Sequence, residues 1–169
     1  MAQFEFNFLP YDHGSRDNFF TPYAFTGISV YHFSPRTKFD GEWVSLQPLG
    51  TEGQFKNDEY SLTQLSLVYG VGMKWDLNAD WSMNFEVSSR YLFTDYLDDV
   101  SGVYPEIDDL EALRGETAVM LSDRSIPNAE GIKIGEAGRQ RGDSSNNDFF
   151  SFVGIGVVYY FGSIRCPKW

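Results

Sequence analysis

Between Ser61 and Leu77 the chain alternates with a period of two, Val68 being the apolar exception on the even face. Leu65, Leu67, Tyr69, Val71, Met73, Trp75 and Leu77 fall on odd positions, with Gln64, Ser66, Val68, Gly70, Gly72, Lys74 and Asp76 between them. A repeat of two residues puts the two sets on opposite faces of a β-strand. Trp81, Met83, Phe85, Val87, Tyr91 and Phe93 continue the pattern on odd numbers, broken only by Ser89. The intervening Asn78-Ala79-Asp80 reads as the turn of a hairpin. Because both apolar sets are odd, opposed residues must sum to an even number. A three-residue loop meets this condition, with Leu77 opposite Trp81 and Met73 opposite Phe85. On the polar face the same register sets Gly72 opposite Glu86 and Lys74 diagonal to Glu86, so the glycines are expected to leave room for long charged side chains.

Three more segments read as strands: Phe4–Phe8, with phenylalanine at every second position; Pro22–Phe33, whose inner face the pattern leaves undecided; and the apolar run Phe149–Phe161. Leu110–Met120 suits a short helix inside a loop, weakened by Gly115. Connections alternate between short (Pro10–Thr21, Asn78–Asp80) and long (Ser34–Glu59, Asp95–Asp148), as in outer-membrane barrels with short periplasmic turns and long external loops. Strands of at least ~10 residues, tilted by ~40°, span the ~25 Å apolar band of such barrels.

A soluble sandwich or lipocalin-like barrel also alternates, but its apolar face turns inward and mixes small with large residues. Here the small residues lie on the polar face with Lys74, Glu86 and Arg90, which suits a narrow polar lumen. Trp75 and Trp81 flank the short turn and Tyr91 and Phe93 the far end, as two interfacial girdles would. The reading is all-β: an antiparallel transmembrane β-barrel of the small eight-stranded OmpA/OmpW-like type, present here as about five strands with long external loops, residues 1–169 forming one domain. Bacterial barrels have even strand numbers of about eight or more, so Phe4–Phe8 reads as the fourth strand, with about three strands and a signal peptide expected before Met1.

Composition narrows the function classes. Aromatic residues make up 17% of the chain, which favours strands. A net charge of −11 argues against nucleic-acid binding, which needs a basic footprint. One cysteine, Cys166, and two histidines leave no disulfide framework and little for a Cys- or His-based metal centre. The reading includes no cofactor, no metal and no small-molecule substrate. No apolar run approaches the ~18 residues of a membrane-spanning helix.

The segments FEFNFLPYD (4–12), TPYAFTGISVYHF (21–33), WVSLQPLGTEGQ (43–54), GVGMKWDLNADWSMNFEVSSRYLFTDYLDDVSG (70–102), RGDSSNNDFFSFVGI (141–155) and CPKW (166–169) together resemble the PorG-like outer-membrane proteins of the Bacteroidota type IX secretion system. LQPLGTEGQ and FTDYLDDVS are the more specific of these. The resemblance implies an eight-stranded barrel in the outer membrane of a Gram-negative bacterium, in contact with lipid and linked to the periplasmic ring proteins PorK and PorN. It implies no catalytic residues. The alternative is an OmpA-like structural or surface-binding barrel with no part in secretion.

Candidate chemistry is sparse. Asp95, Asp98 and Asp99 cluster beyond a strand where a hard cation could find oxygens, but without EF-hand spacing they read as solvated turn-capping acids. The thirteen acids and five bases of Asp95–Asp148 are expected in a solvated loop. His32 and Ser34 near the rim lack a nucleophile motif, and no enzyme is expected. Lys74, Glu86 and Arg90 are expected to form a lumen salt-bridge network rather than an open pore. Gly156, Tyr159 and Phe161 give a glycine-aromatic pattern resembling a closing-strand signal. In the tail Gly162–Trp169, the residues Arg165, Cys166 and Trp169 are expected to make the partner contact, since Trp and Arg are frequent interface anchors.

Overall fold

The computed structural model describes residues 1–161. The chain forms β1 (Ala2–Asn7), β2 (Phe20–His32), β3 (Arg36–Phe39), β4 (Glu42–Ser45), β5 (Thr63–Asp76), β6 (Trp81–Leu92), α1 (Ile107–Arg114), α2 (Glu116–Ser122) and β7 (Phe149–Tyr159), with a 3-10 turn at Gln47–Leu49. It divides into two compact units. One comprises Met1–Val30, Leu65–Tyr91 and the described residues from Phe149 on; the other comprises Tyr31–Gln64 and Leu92–Asp148.

The long strands form one sheet in the order β1-β2-β5-β6-β7. β1 runs antiparallel to β2, from Ala2 opposite Ile28 to Asn7 opposite Tyr23. The Asp76 N–H donates to the Phe19 carbonyl at 2.8 Å, and the Phe33 N–H to Leu62 at 3.1 Å, so β2 and β5 also run in opposite directions. The β5–β6 turn closes with the Leu77 N–H on the Trp81 carbonyl at 2.9 Å, the juxtaposition that the odd parity requires. β6 and β7 pair antiparallel from Trp81 opposite Tyr159 to Tyr91 opposite Phe149.

The count of about five strands expected of this chain's share of a barrel is met, and among the described residues the sheet is not closed. The sheet has five strands and two open edges, β1 and β7. Four inter-strand spacings at about 4.8 Å cover about 19 Å, too short an arc to close around a side-chain-filled interior.

Within the sheet unit the burial alternates as the sequence does. Ser66, Val68 and Asp76 of β5 and Ser82 and Ser88 of β6 are buried, while Leu65, Val71, Met73, Trp75, Met83, Phe85 and Val87 are exposed. The face of β2 that the pattern left undecided is settled by its odd residues: Thr21, Tyr23, Phe25 and Ser29 are buried, and Ile28 and Val30 are exposed. The only buried apolar cluster in this unit is Tyr23, Phe25 and Val68, among the described residues. Gly70 and Gly72 make room for it. A Cβ on Gly72 would lie 2.5 Å from the Tyr23 ring, and one on Gly70 would lie 2.6 Å from Phe25. The glycines thus admit aromatic rings from β2, not the charged side chains expected from the hairpin alone. The reason is that β2 sends the aromatic rings of Tyr23 and Phe25 onto the same inner face, next to these glycines.

The second unit departs further from expectation. Ser34–Glu59 contains the hairpin β3–β4, paired from Arg36 opposite Ser45 to Phe39 opposite Glu42. Its turn residues Asp40 and Gly41 both have positive φ, 49° and 85°, the mirror-image turn that Asp-Gly favours. The helix expected at Leu110–Met120 is two helices. Gly115 takes φ 87°, a value L-residues avoid, and its N–H closes α1 on the Glu111 carbonyl at 2.8 Å. Asp108 and Asp109 in the first turn of α1 and Arg114 in the last complement the helix dipole. Leu110, Ala118 and Leu121 are buried and give the helix pair its own small core.

Candidate functional site

The three polar residues placed on the inner face by the sequence do lie there, but not as one network. Lys74 pairs with Glu5 of β1, and its Nζ lies 4.9 Å from the centroid of the Tyr23 ring. Glu86 accepts a hydrogen bond from the Tyr23 hydroxyl at 3.0 Å. Arg90 sits over Phe150 and Phe152, at 5.8 and 5.2 Å. The expected Lys74–Glu86 bridge gives way to Lys74–Glu5 because β1 supplies a carboxylate that the hairpin pattern did not include. Cation–π contact replaces an ion pair at Arg90.

At the turn end of the same unit lies a cluster that the strand pattern does not announce. Asp76 accepts hydrogen bonds from the Tyr11 hydroxyl at 2.6 Å, the Ser82 hydroxyl at 2.5 Å and the Gly14 N–H at 2.9 Å. His13 Nδ1 lies 2.9 Å from Oδ2, the carboxylate oxygen that also accepts the Gly14 N–H, and its Nε2 lies 3.1 Å from the Ala79 carbonyl. The ring stacks on Tyr160 at 3.5 Å. Burial, together with the bond to Asp76, pushes the Tyr11 hydroxyl well above its ordinary pKa. Ser, His and Asp meet here, but Ser82 spends its proton on Asp76 and shares the same imidazole nitrogen with it, at 3.2 Å. A nucleophilic serine needs its proton taken by histidine. The arrangement instead tethers the Pro10–Phe19 connection to the β5–β6 turn. The signal for it was Asp76, a lone acid ending an otherwise small and polar strand face.

In the second unit three distant segments meet around Arg141. Its Nη1 donates to Glu52 Oε1 at 3.0 Å and to the Asp99 carbonyl at 2.6 Å, and its Nε to the Ser122 carbonyl at 3.0 Å. Glu52 also accepts the backbone N–H groups of Ser101 and Gly102, at 2.8 and 3.0 Å. Asp99, 1% exposed, accepts hydrogen bonds from the Thr51 hydroxyl at 2.5 Å and the Tyr60 hydroxyl at 2.6 Å. Tyr60 stacks on Tyr96 at 4.6 Å. Burial holds the Asp99 carboxyl above its ordinary pKa, against the hydrogen bonds from Thr51 and Tyr60, and pushes the Tyr60 hydroxyl up as well. Arg114 plays a similar part nearby, donating to Glu59 at 2.7 Å and to the Gln54 carbonyl at 2.8 Å.

The solvated reading of the acidic cluster therefore fails at Asp99. Asp98 does behave as expected, exposed and accepting the Val100 N–H at 3.1 Å. Asp95 has one carboxylate oxygen buried without a hydrogen-bond partner, and burial raises its pKa. Among the described residues no group of three or more acids, histidines or cysteines is arranged to hold a metal ion. His32 is exposed and its Nδ1 lies 3.1 Å from the Thr63 hydroxyl, while Ser34 is exposed. Gly156 and Tyr159 lie within β7. Arg165, Cys166 and Trp169 lie outside the described residues.

Residues 1–119 match the family DUF6089, described as a domain of unknown function, and the chain belongs to that family. No curated protein and no solved structure matches it.

Proposed function

We propose that this chain is a non-enzymatic outer-membrane β-barrel protein, and that within the type IX secretion system it links the outer membrane to the periplasmic PorK/PorN ring. The observation that supports the membrane reading is the outward face of the sheet unit. Phe4, Ile28, Leu67, Val71, Met73, Trp75, Phe85, Val87, Ile155 and Val157 are all exposed on it. Soluble monomers rarely expose apolar patches beyond about 300–600 Å², and this face runs the length of five strands. Lipid is the solvent that suits it. Trp75, Trp81 and Tyr159 at the turn end, and Tyr91 and Phe149 at the other, suit the interfacial girdles of such a barrel. The open edges are then met by further strands, because an unpaired edge in hydrocarbon leaves costly backbone groups unsatisfied.

The secretion role is supported by the resemblance alone, with residues 165–169 as the segment offered for the ring contact. Two measurements test the parts separately. Full-length protein folded into vesicles should float with the lipid and show a heat-modifiable gel mobility; a protein that stays in the aqueous fraction would end the membrane reading. Deleting its gene should block export of a type IX cargo. Unchanged export with normal barrel insertion would leave the OmpA-like alternative.

A further inference from the structure

Beside α1, within the second unit, lies a cleft of about 570 Å³ with an apolar floor and an acidic rim. Ile107, Met120 and Ile132, which line it with Val119, are 50%, 45% and 59% exposed. These side chains are not the frayed margin of a failed core, because the helix pair already buries Leu110, Ala118 and Leu121. Around the floor stand Glu106, Asp108 and Glu136, none of which takes part in an ion pair among the described residues. The lone base in the lining, Lys133, is engaged at the cleft wall, donating to the Asp123 carbonyl at 2.6 Å. A second cleft flanks α1, with exposed Phe55 and Leu113 beside Asp109, and shares Pro105 and Glu106 with the first. One acidic rim thus borders two apolar floors.

The charge balance of the unit sharpens the picture. Asp95–Asp148 carries thirteen acids and five bases. Four of those bases are engaged internally: Arg114 with Glu59, Arg124 with Thr37, Lys133 with Asp123 and Arg141 with Glu52. Glu106, Asp108 and Glu136 make no ion pair among the described residues, so the rim stays net acidic. We propose that this cleft is a docking groove for a polypeptide segment carrying aliphatic or aromatic side chains next to lysine or arginine. The apolar floor would seat the anchors, and Glu106, Asp108 and Glu136 would meet the basic neighbours, steering association and setting register. At about 570 Å³ the cleft is the size of pockets that enclose a drug-sized ligand, about 300–1,000 Å³, which leaves room for a few anchoring side chains. Anionic lipid and nucleic acid would meet the same carboxylates as like charge and be repelled.

Fluorescence anisotropy on the full-length protein in detergent micelles tests this with three labelled peptides of equal length: alternating Lys–Leu, alternating Glu–Leu and alternating Lys–Ser. The Lys–Leu peptide should bind saturably, and more weakly as salt rises; the other two should bind about tenfold more weakly or worse. Glu106→Lys combined with Glu136→Lys should reverse the preference in favour of Glu–Leu, a gain that a misfolded protein would not show. Met120→Ser should weaken Lys–Leu binding with the charge preference kept. Absent Lys–Leu binding, equal Lys–Ser binding, or an unchanged preference in the charge-reversed protein would overturn the proposal.

Discussion

The two units of this chain are built to opposite rules. In the sheet unit the buried positions are mostly Ser, Thr, Gly and single charges, and the large apolar residues face out. In the loop unit the helix pair buries Leu110, Ala118 and Leu121 and sets acids outside. An outward apolar face is stable where the surroundings are themselves apolar, and an inward one where they are water. The units also differ in how polar groups are satisfied. On the sheet's inner face, charges find neighbours one or two strands away. In the loop unit a single guanidinium, 8% exposed at its side chain, holds together residues from positions 52, 99, 122 and 141.

The largest effect that would separate the units is therefore expected at Arg141. Replacing it with methionine keeps much of the volume but leaves the Glu52 and Asp99 carboxylates buried without their cation. Breaking a buried pair from one side costs about 3–5 kcal/mol, enough to unfold a locally stabilised unit. In native-state hydrogen exchange, the amides of Ser101, Gly102 and the α1–α2 pair should lose protection in Arg141→Met, while β5 and β6 keep theirs. Uniform loss across both units would show that they do not fold as separate bodies.

The same contrast explains what the sequence made legible. In β5 and β6 the burial of each residue follows from its parity, a property visible within a few positions, so the faces, the Leu77–Trp81 closure and the inward placement of Lys74, Glu86 and Arg90 were all readable. Which partner each charge takes was not, because Glu5 and Tyr23 come from strands whose register depends on the whole sheet. The loop unit has no such repeat. Glu52 meets Arg141 across 89 positions, and a lone acid in LGTEGQ or TDYLDDVSG looks the same whether solvated or buried. One local signal does mark the β3–β4 hairpin: the Asp40-Gly41 pair, set between Phe39 and Glu42 with Trp43 next along.

A somewhat smaller effect tests the outward face. Met73→Arg or Phe85→Arg should cost about 2–4 kcal/mol when the residue lies near the bilayer midplane, whereas Ser88→Arg, directed to the inner side, should act through packing alone. Folding yield into vesicles at increasing urea would rank them. If Met73→Arg were tolerated as well as a charge change at the exposed Glu130 in the loop unit, the two faces of the contrast would collapse into one.

The smallest effect lies inside the loop unit and is read as a slope rather than an offset. Asp99 and Asp123 are both buried acids, yet their environments push them in opposite directions. For Asp99 burial prevails and raises its pKa. For Asp123 burial is outweighed by hydrogen bonds from Ser125 and the Gly135 N–H and by the charge of Lys133, which together lower it. A carboxyl whose folded pKa is raised contributes stability below its unfolded value, about 3.9, and that contribution is lost as pH climbs through the folded pKa. One whose folded pKa is lowered contributes stability above about 3.9 and loses it as pH falls through the folded value. Acidification from neutral pH should therefore improve the wild type relative to Asp99→Asn, and below about pH 4 should weaken it relative to Asp123→Asn. Whatever packing each asparagine disturbs is independent of pH and shifts only the offset. Thermal melting of the loop unit, followed by the fluorescence of Trp43 across that range, would give both slopes. Slopes of equal sign would mean that the two carboxylates share one kind of environment, and that the Arg141 network does not bury Asp99 as the structure has it.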